Sequence, residues 1–372
     1  MRSRQGCDFE LLKLMTSRNQ SLDVLRGIAV LLVIVSHYSG TLPRPSALLE
    51  TGWVGVDLFF VLSGFLISGL LFSEFEKTGT INLKRFWIRR GFKIYPPFYV
   101  LIGLTALVAL LRTRQLPYQL IWEAAFLQNY FSRFWPHTWS LAVEEHFYFS
   151  LPLLLLLLIL IGKGKPNPFR AIPIISLSLC LLCLYLRILA LRHGGDWGHI
   201  AFPTHLRMDA LFAGVTLGYY AHFTPKSFRE AGKSWVLGFG LFFAATFVIM
   251  PDVPRLTFAY VAFSFIIAWA VNRPSSKKPL AKGLSWIGYY SYSIYLWHVV
   301  AMLGVEQLSA RWFRFPLYFA AAIGLGVLMS KLIEVPALKL RDRVFPSGAA
   351  AREQAARARI SKAQLVTTEV GA

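Results

Sequence analysis

Long apolar stretches alternate with short charged segments along almost the whole chain. Each stretch holds about 20 residues, which is the length that a helix needs to cross the hydrocarbon core of a bilayer. The pattern therefore predicts an all-α fold, a polytopic membrane helix bundle of about ten transmembrane helices. The predicted spans are 22–42, 53–72, 94–111, 139–161, 171–191, 203–222, 235–250, 256–271, 285–305 and 315–335.

The remaining segments complete the predicted organisation. Residues 116–131 are apolar but short, and prolines lie nearby, which favours an interfacial or re-entrant helix. Residues 1–20 are expected to be a cytoplasmic N-terminal segment rather than a signal peptide, because the first apolar run lacks a small-residue cleavage site. Residues 21–345 are expected to form the membrane domain. Residues 346–372 are expected to be a cytoplasmic tail, disordered or a short helix.

Composition supports a membrane protein. Hydrophobic residues make up 55% of the chain and charged residues 16%, and the mean hydropathy is +0.50. Soluble domains carry about 25% charged residues, so a soluble globular enzyme is excluded. The high hydrophobicity also excludes a disordered chain. The three cysteines show no metal-ligand spacing, and we expect no metal.

The chain is strongly basic, with 39 Lys and Arg against 19 Asp and Glu. In a soluble protein this balance would suggest a nucleic-acid partner. Here the positive-inside rule explains it, because alternate segments carry 27 and 8 of the basic residues. We therefore predict both termini in the cytoplasm, a multi-pass protein of the cytoplasmic (inner) membrane and no nucleic-acid partner.

Ionisable residues inside spans are costly and point to function. The first span carries Arg26 and His37, which are 11 residues apart. At about 100° and 1.5 Å per residue, both lie on one face of the helix, about 16 Å apart in depth. Arg26 is predicted near the cytoplasmic end and His37 near the outer end.

Three other ionisable residues share the predicted depth of His37: Asp57, Glu144 and His298. A histidine beside a carboxylate is a general base, so this layer predicts proton transfer by His37 with Asp57 or Glu144. Two alternatives stay open. Asp57 also fits a simple pair with a neighbouring charge, and His298 also fits an aromatic belt at the membrane interface.

The segment 84–93 is basic, and Arg85, Arg89 and Lys93 recur every four residues on one helical face. One interpretation is a juxtamembrane helix on anionic lipid. The other is a cytoplasmic docking site for a phosphate-bearing cofactor, since the arginine fork fits phosphate geometry. Composition does not separate the two interpretations.

Five segments in order resemble the motifs of the acyltransferase family 3 membrane enzymes. They are 21–37 with Arg26 and His37, 55–67 (GVDLFFVLSGFLI), 85–97 (RFWIRRGFKIYPP), 138–148 (TWSLAVEEHFY) and 291–298 (SYSIYLWH). The likeness covers residues 20–340, and its departures are Lys93, where Arg is usual, and His146, where Gln is usual. Lysine keeps the charge but loses bidentate contact with phosphate.

The resemblance implies transfer of an acyl group, most often acetyl, from acyl-CoA to a hydroxyl of a carbohydrate or lipid-linked glycan. It implies catalytic roles for His37, Glu144 and Asp57, donor binding by Arg26, Arg85, Arg89, Arg90 and Lys93, and acceptor binding by Trp139, Ser140, Tyr295 and His298. Some members carry an additional esterase-like domain, for which we expect no room in this chain. Direct transfer and a transient acyl-His37 both fit. The competing function is a multi-pass transporter or flippase of an envelope precursor.

Overall fold

The computed structural model describes residues 19–39, 51–247, 250–307 and 311–346. Within these ranges the protein is helical and has no β-strand, so the all-α fold is confirmed for them. Most of the predicted N-terminal segment and tail, Cys7 and the end of the first predicted span lie outside the described residues.

Fifteen α-helices occur in the described ranges. They are α1 (Gln20–Ser39), α2 (Val54–Thr78), α3 (Leu83–Thr113), α4 (Gln119–Ala124), α5 (Trp139–Ile161), α6 (Ile172–Arg192), α7 (Trp197–Ala201), α8 (Met208–Phe223), α9 (Pro225–Glu230), α10 (Ser234–Phe247), α11 (Asp252–Val271), α12 (Pro279–Tyr289), α13 (Ser291–Glu306), α14 (Arg311–Met329) and α15 (Val335–Val344). A π-turn, Ser330–Glu334, joins α14 to α15, and 3₁₀ turns precede α2, α6 and α8.

Seven helices of the described chain are long and apolar enough to cross a membrane. They identify an integral membrane protein. These spans include α1, α2, α3, α5, α6 and α11, and the seventh runs from α14 through α15. Three other predicted spans correspond to shorter helices: α8, α10, and the pair α12 and α13.

The third predicted span is only part of a longer helix. Helix α3 begins at Leu83, so the basic segment 84–93 forms the first turns of the same helix. Asn82 caps the helix, because its side chain accepts a hydrogen bond from the Arg85 amide at 2.9 Å. The basic residues are therefore held rigidly on a helix that continues into the bundle.

The ninth predicted span is also not one helix. It divides at Tyr290 into α12, which packs on α1, and α13, which packs on α14. At the first of these contacts a Cβ on Gly288 would overlap the Asp23 carbonyl oxygen, and one on Gly27 would overlap that of Leu284. Small residues permit such close helix packing in membranes.

Helix α2 is the most deeply buried of the seven spans, and α8 packs along it. Gly64 of α2 meets Gly214 of α8 at a similar close approach, so a Cβ on either residue would overlap the other helix. The packed centre of the bundle positions α1, α2 and α13, which carry the site.

Candidate active site

A pocket with about 690 Å³ of empty space, including its open mouth, lies among α1, α2, α3, α5, α12 and α13. The polar side chains that line it are Arg26, Ser63, Arg90, Lys93, Ser140, Glu144, Tyr289, Ser291, Tyr292 and Tyr295. The pocket therefore combines three cations with one carboxylate and several hydroxyls.

A hydrogen-bonded network fixes one wall of the pocket. Ser63 donates to Glu144, and its oxygen lies 3.1 Å from the Tyr148 hydroxyl. The Arg90 guanidinium donates to the same hydroxyl and lies 4.1 Å from the centre of the Tyr148 ring. Nε of Arg90 is buried and has no hydrogen-bond partner among the described residues. Arg90 thus keeps donor capacity within this wall.

The other two cations of the pocket are paired. Arg26 lies 3.3 Å from Asp23 on the preceding turn of α1, and Lys93 lies 2.6 Å from Glu334. The π-turn between α14 and α15 carries Glu334, which also accepts hydrogen bonds from Ser293 at 2.6 Å and from a serine of the turn. Lys93 lines the pocket, but a buried carboxylate holds its ammonium group.

Arg85 and Arg89, which the resemblance places in donor binding together with Arg90 and Lys93, do not line the pocket. Arg85 donates to the Pro346 carbonyl at 2.5 Å. Arg89 donates to the Phe345 carbonyl and lies 3.2 Å from Asp342. Two of the three residues on the predicted shared face therefore meet the carbonyl end of the last described helix, where cations are stabilising, whereas the third, Lys93, lines the pocket. Arg90 lies off that face and reaches the pocket.

Three histidines form a second region, called here the histidine cluster: His37, His137 and His298. The ring centres of His37 and His298 are 4.8 Å apart, and those of His137 and His298 are 4.9 Å apart. The His37 and His137 rings are 6.4 Å apart. His37 is partly exposed, whereas the other two rings are fully buried. His37 and His298, which were predicted to lie at the same depth, are thus in direct contact.

Backbone carbonyls set the tautomer of each ring. Nδ1 of His37 lies 3.0 Å from the Val33 oxygen, and Nδ1 of His298 lies 2.5 Å from the Tyr295 oxygen. Nε2 of His137 lies 3.1 Å from the Leu296 oxygen. Since a carbonyl only accepts, the nitrogen beside it carries the proton and the other ring nitrogen is an acceptor. Each neutral ring therefore presents one lone pair.

Tyr295 connects the two regions. Its side chain lines the pocket, and its hydroxyl donates to the His137 carbonyl at 2.7 Å and lies 2.5 Å from the Ser140 oxygen. Its ring centre lies 5.7 Å from that of His298. Tyr295 and Ser140 thus form the wall between the pocket and the histidine cluster.

The predicted contact of His37 with Asp57 or Glu144 is absent from the described residues. The carboxylate of Asp57 lies 2.6 Å from Arg207, and both side chains are almost fully buried. The carboxylate of Glu144 accepts from Ser63 instead. Each carboxylate is held by its own partner, so neither orients His37; the interpretation of Asp57 as one half of an ion pair matches this geometry.

Trp139 also lies away from the pocket lining. Its ring packs against Phe60 and Phe202 and lies 5.7 Å from the Arg207 guanidinium. A second buried pair, Arg187 with Asp209, lies close to the first and affects it electrostatically. Trp139 therefore covers one of two buried ion pairs.

Sequence reasoning missed His137 and the residue that holds its loop, Glu123. One oxygen of Glu123 accepts from the Phe134 amide at 2.9 Å, from the Trp135 amide at 2.6 Å and from the Thr138 hydroxyl at 3.3 Å. Burial raises the pKa of Glu123 above its ordinary value. Burial and the neighbouring His37 lower the pKa of His137 to about 3, so this ring is neutral. The available signal was the position of His137 directly before a motif-bearing span.

The comparison with known families agrees with the motifs. The family model described as "Acyltransferase domain" matches residues 19–334. This chain belongs to that acyltransferase family. The resemblance seen in the sequence is therefore confirmed, and no solved structure matches the chain.

Several curated relatives of this acyltransferase carry related names. "Peptidoglycan O-acetyltransferase OatA" of Listeria monocytogenes is 30% identical over 357 residues, which cover 86% of this chain and 56% of that protein. "O-acetyltransferase OatA" of Staphylococcus aureus is 30% identical over an alignment of 381 positions, which covers 91% of this chain and 60% of that protein. "Putative O-acetyltransferase SACOL0978" of Staphylococcus aureus is 31% identical over 323 residues, which cover 77% of this chain and 51% of that protein. The chain spans about half the length of the curated relatives it matches.

The family motifs of this acyltransferase divide between the two regions. Arg26, Arg90, Ser140 and Glu144 line the pocket, whereas His37 and His298 belong to the histidine cluster. Among the described residues no group of His, Cys, Asp or Glu has an arrangement that could hold a metal ion. The chemistry available is therefore anion binding on one side of Tyr295 and proton transfer on the other.

Proposed function

We propose that this protein is a membrane O-acyltransferase that moves an acetyl group from acetyl-CoA to a hydroxyl of a peptidoglycan-type glycan. One observation carries the proposal: a basic pocket and a cluster of neutral histidines share the wall formed by Tyr295 and Ser140. Membership in the acyltransferase family and the printed names of the relatives support the acetyl group and the acceptor class.

The pocket binds the donor. Arg26 and Arg90 contact the phosphates of CoA, because guanidinium groups bind phosphate by paired, charge-assisted hydrogen bonds. Lys93 contributes less, since its ammonium group is already paired with Glu334. Arg26 and His37 lie about 16 Å apart along α1, and this separation requires a donor with a long arm, such as acyl-pantetheine.

His37 performs the proton transfer. Its Nδ1 proton is held by the Val33 carbonyl, so Nε2 takes the proton of the acceptor hydroxyl as the oxygen attacks the thioester carbonyl. A carbon–oxygen bond forms, the carbon–sulfur bond breaks, and His37 returns the proton to the departing thiolate. In the covalent alternative Nε2 carries the acetyl group first, and rapid quenching of labelled enzyme would detect acetyl-His37.

The orientation follows the distribution of basic residues. The protein is a multi-pass protein of the inner membrane with about ten spans and both termini in the cytoplasm. The donor enters from the cytoplasm near Arg26, and the glycan acceptor meets His37 from the outer side. Residues 1–20 and 346–372 are cytoplasmic, and residues 21–345 form the acyltransferase domain. Labelling of single cysteines placed at Lys163 and at Arg192 in sealed vesicles tests this orientation.

Acetyl transfer by the purified protein tests the function. Protein in lipid vesicles is incubated with radiolabelled acetyl-CoA and peptidoglycan fragments, and the ester is measured on the glycan. The expected result is transfer by the wild type and by His193→Ala, an exposed histidine outside the site, and loss of transfer by His37→Ala. Full transfer by His37→Ala would contradict the proposal, and movement of glycan across the vesicle without ester formation would favour a transporter.

A further inference from the structure

His137 has no part in the mechanism above, although it lies in the histidine cluster. It is 1% exposed, and its ring centre lies 4.9 Å from that of His298 and 5.5 Å from that of Tyr295. It lies two residues before the start of α5, and the loop that carries it is held by Glu123. The protein thus fixes a buried imidazole in contact with the ring beside the proposed base.

The hydrogen bonds of His137 leave one nitrogen unused. Nε2 donates to the Leu296 carbonyl, so Nδ1 is the acceptor, and Nδ1 is buried without a partner among the described residues. Nε2 of His298 is likewise a buried acceptor without a partner there. Buried acceptors are usually satisfied, because leaving them unpaired is costly. Two unpaired acceptors in one cluster therefore indicate a functional role for these nitrogens.

The cluster also lacks a carboxylate contact within the described chain. The groups in contact with the His137 ring are His37 from α1, Tyr295 and His298 from α13, and Trp135 from its own loop. When His37 takes a proton it becomes positive. In Ser-His-Asp sites a carboxylate stabilises that charge, whereas here the available acceptors are the lone pairs of His137 and His298.

We propose that His137 is a positioning residue for the acyl transfer, whose Nδ1 lone pair, together with Nε2 of His298, stabilises the positive charge that His37 gains from the acceptor hydroxyl. This inference rests on the proposed function of His37. The proton stays on Nε2 of His37 until it returns to the thiolate at the end of the step, and the two lone pairs act on its charge across ring-centre distances of 4.8 Å to His298 and 6.4 Å to His137. No net charge remains in the cluster.

Two substitutions at position 137 separate this role from a structural one. His137→Gln retains a nitrogen donor at the position of Nε2, toward the Leu296 carbonyl, but loses the Nδ1 acceptor. His137→Asn places an amide oxygen near Nδ1 and loses the Nε2 donor. Stabilisation by the lone pair predicts that Asn preserves transfer better than Gln. A purely structural role for the Leu296 hydrogen bond predicts the reverse order.

The experiment measures kcat and KM for acetyl transfer across pH, together with the titration of ¹³C-labelled histidine rings by NMR. We expect kcat of His137→Gln to fall about 10–100-fold, part of the ~10²–10⁴-fold that an acid–base group contributes, with KM for the donor unchanged. In this variant the acidic limb of the kcat–pH profile and the titration of the His37 ring both move to lower pH. In His137→Asn both stay near their wild-type positions. Equal kcat and titration in both variants, or better retention by Gln, would overturn the inference.

The NMR readout keeps this test separate from the test of the proposed function. If the wild type transfers no acetyl group, the proposed function fails, but the His37 ring titration still responds to the two substitutions. A shift with Gln and none with Asn supports stabilisation of the charge. Identical titrations in the wild type and both variants reject it, whatever the reaction.

Discussion

The pocket and the histidine cluster lie on either side of Tyr295, yet they satisfy their polar groups in opposite ways. In the pocket, Arg26 and Lys93 each lie within an ion pair, and Arg90 binds a tyrosine hydroxyl. In the cluster, backbone carbonyls fix the tautomer of each ring, and two lone pairs have no partner among the described residues. The pocket therefore carries permanent positive charges, whereas the histidine cluster takes up a positive charge only when one of its rings accepts a proton.

This difference separates binding from chemistry. Fixed cations attract an anionic molecule before and after a reaction, and such uniform binding lowers KM without raising kcat. A neutral base surrounded by acceptors favours charge only while the proton is in transit, which lowers the barrier. We therefore expect substitutions in the pocket to act on donor affinity and substitutions in the cluster to act on kcat.

The largest expected effect comes from His37→Asn. An asparagine side chain can still donate to the Val33 carbonyl but offers no basic nitrogen. We expect kcat for acetyl transfer to fall by about 10²–10⁴-fold, with KM for acetyl-CoA within about threefold of the wild-type value. The matched control is His193→Asn, at an exposed histidine. A tenfold rise in the KM of His37→Asn with an unchanged kcat would contradict the assignment of binding to the pocket and of proton transfer to the histidine cluster.

Arg90→Gln is expected to have the next largest effect. Loss of one charge-assisted contact costs about 1.5–3 kcal/mol, so KM for acetyl-CoA should rise about 10–100-fold while kcat changes little. Arg85→Gln on the same helix is the matched control, because Arg85 donates to the Pro346 carbonyl and does not line the pocket. Steady-state kinetics with varied donor measure both variants, and equal KM values for the two would count against the pocket.

Gly288→Ala tests the spacing of the helices that carry the two regions. Gly288 lines the pocket and touches α1 at Asp23, so a methyl group there forces the helices apart. We expect a loss of about 1–3 kcal/mol in the free energy of unfolding and a higher KM for the donor. Gly283→Ala on the same helix has open space and is the control. Denaturation in detergent measures stability, and equal stability of both variants would contradict the close packing.

The smallest expected effect concerns Glu123, which holds the loop of His137. Burial raises the pKa of Glu123 in the folded protein, so the folded state binds more protons than the unfolded state. This contribution to stability is present below the unfolded pKa and is lost as pH rises through the folded pKa. Glu123→Gln keeps an acceptor oxygen but does not titrate, so it should remove this part of the pH dependence.

Unfolding measured between pH 4 and pH 8 checks the Glu123 prediction. Glu230→Gln, at an exposed carboxylate, is the control. An identical pH dependence of the wild type and Glu123→Gln would show that the loop is held in some other way.

The sequence predicted depth along helices better than lateral contacts. Helix α5 has the predicted bounds, and the shared depth of His37 and His298 reflects a real contact. Asp57 has a similar predicted depth, yet it binds Arg207, because lateral position depends on which helices pack together. Arg207 follows its partner by 150 residues, a separation that periodicity does not resolve.

Helix breaks and loops were the harder features. The division at Tyr290 and the π-turn that carries Glu334 depend on packing of α12 on α1 and of α14 on α13, and apolar periodicity continues through both. His137 lies in a loop, where no helical pattern assigns a depth. The buried Arg187 was visible as a charge within an apolar stretch, and its pairing with Asp209 required the fold.

Direct binding of acetyl-CoA, measured by calorimetry on His37→Asn and Arg90→Gln in the same lipid vesicles, tests the division between the two regions. The account predicts that His37→Asn binds the donor within about twofold of the wild-type Kd, although it transfers almost no acetyl group. Arg90→Gln should bind about tenfold or more weakly. Loss of donor binding in His37→Asn, or wild-type affinity in Arg90→Gln, would contradict it.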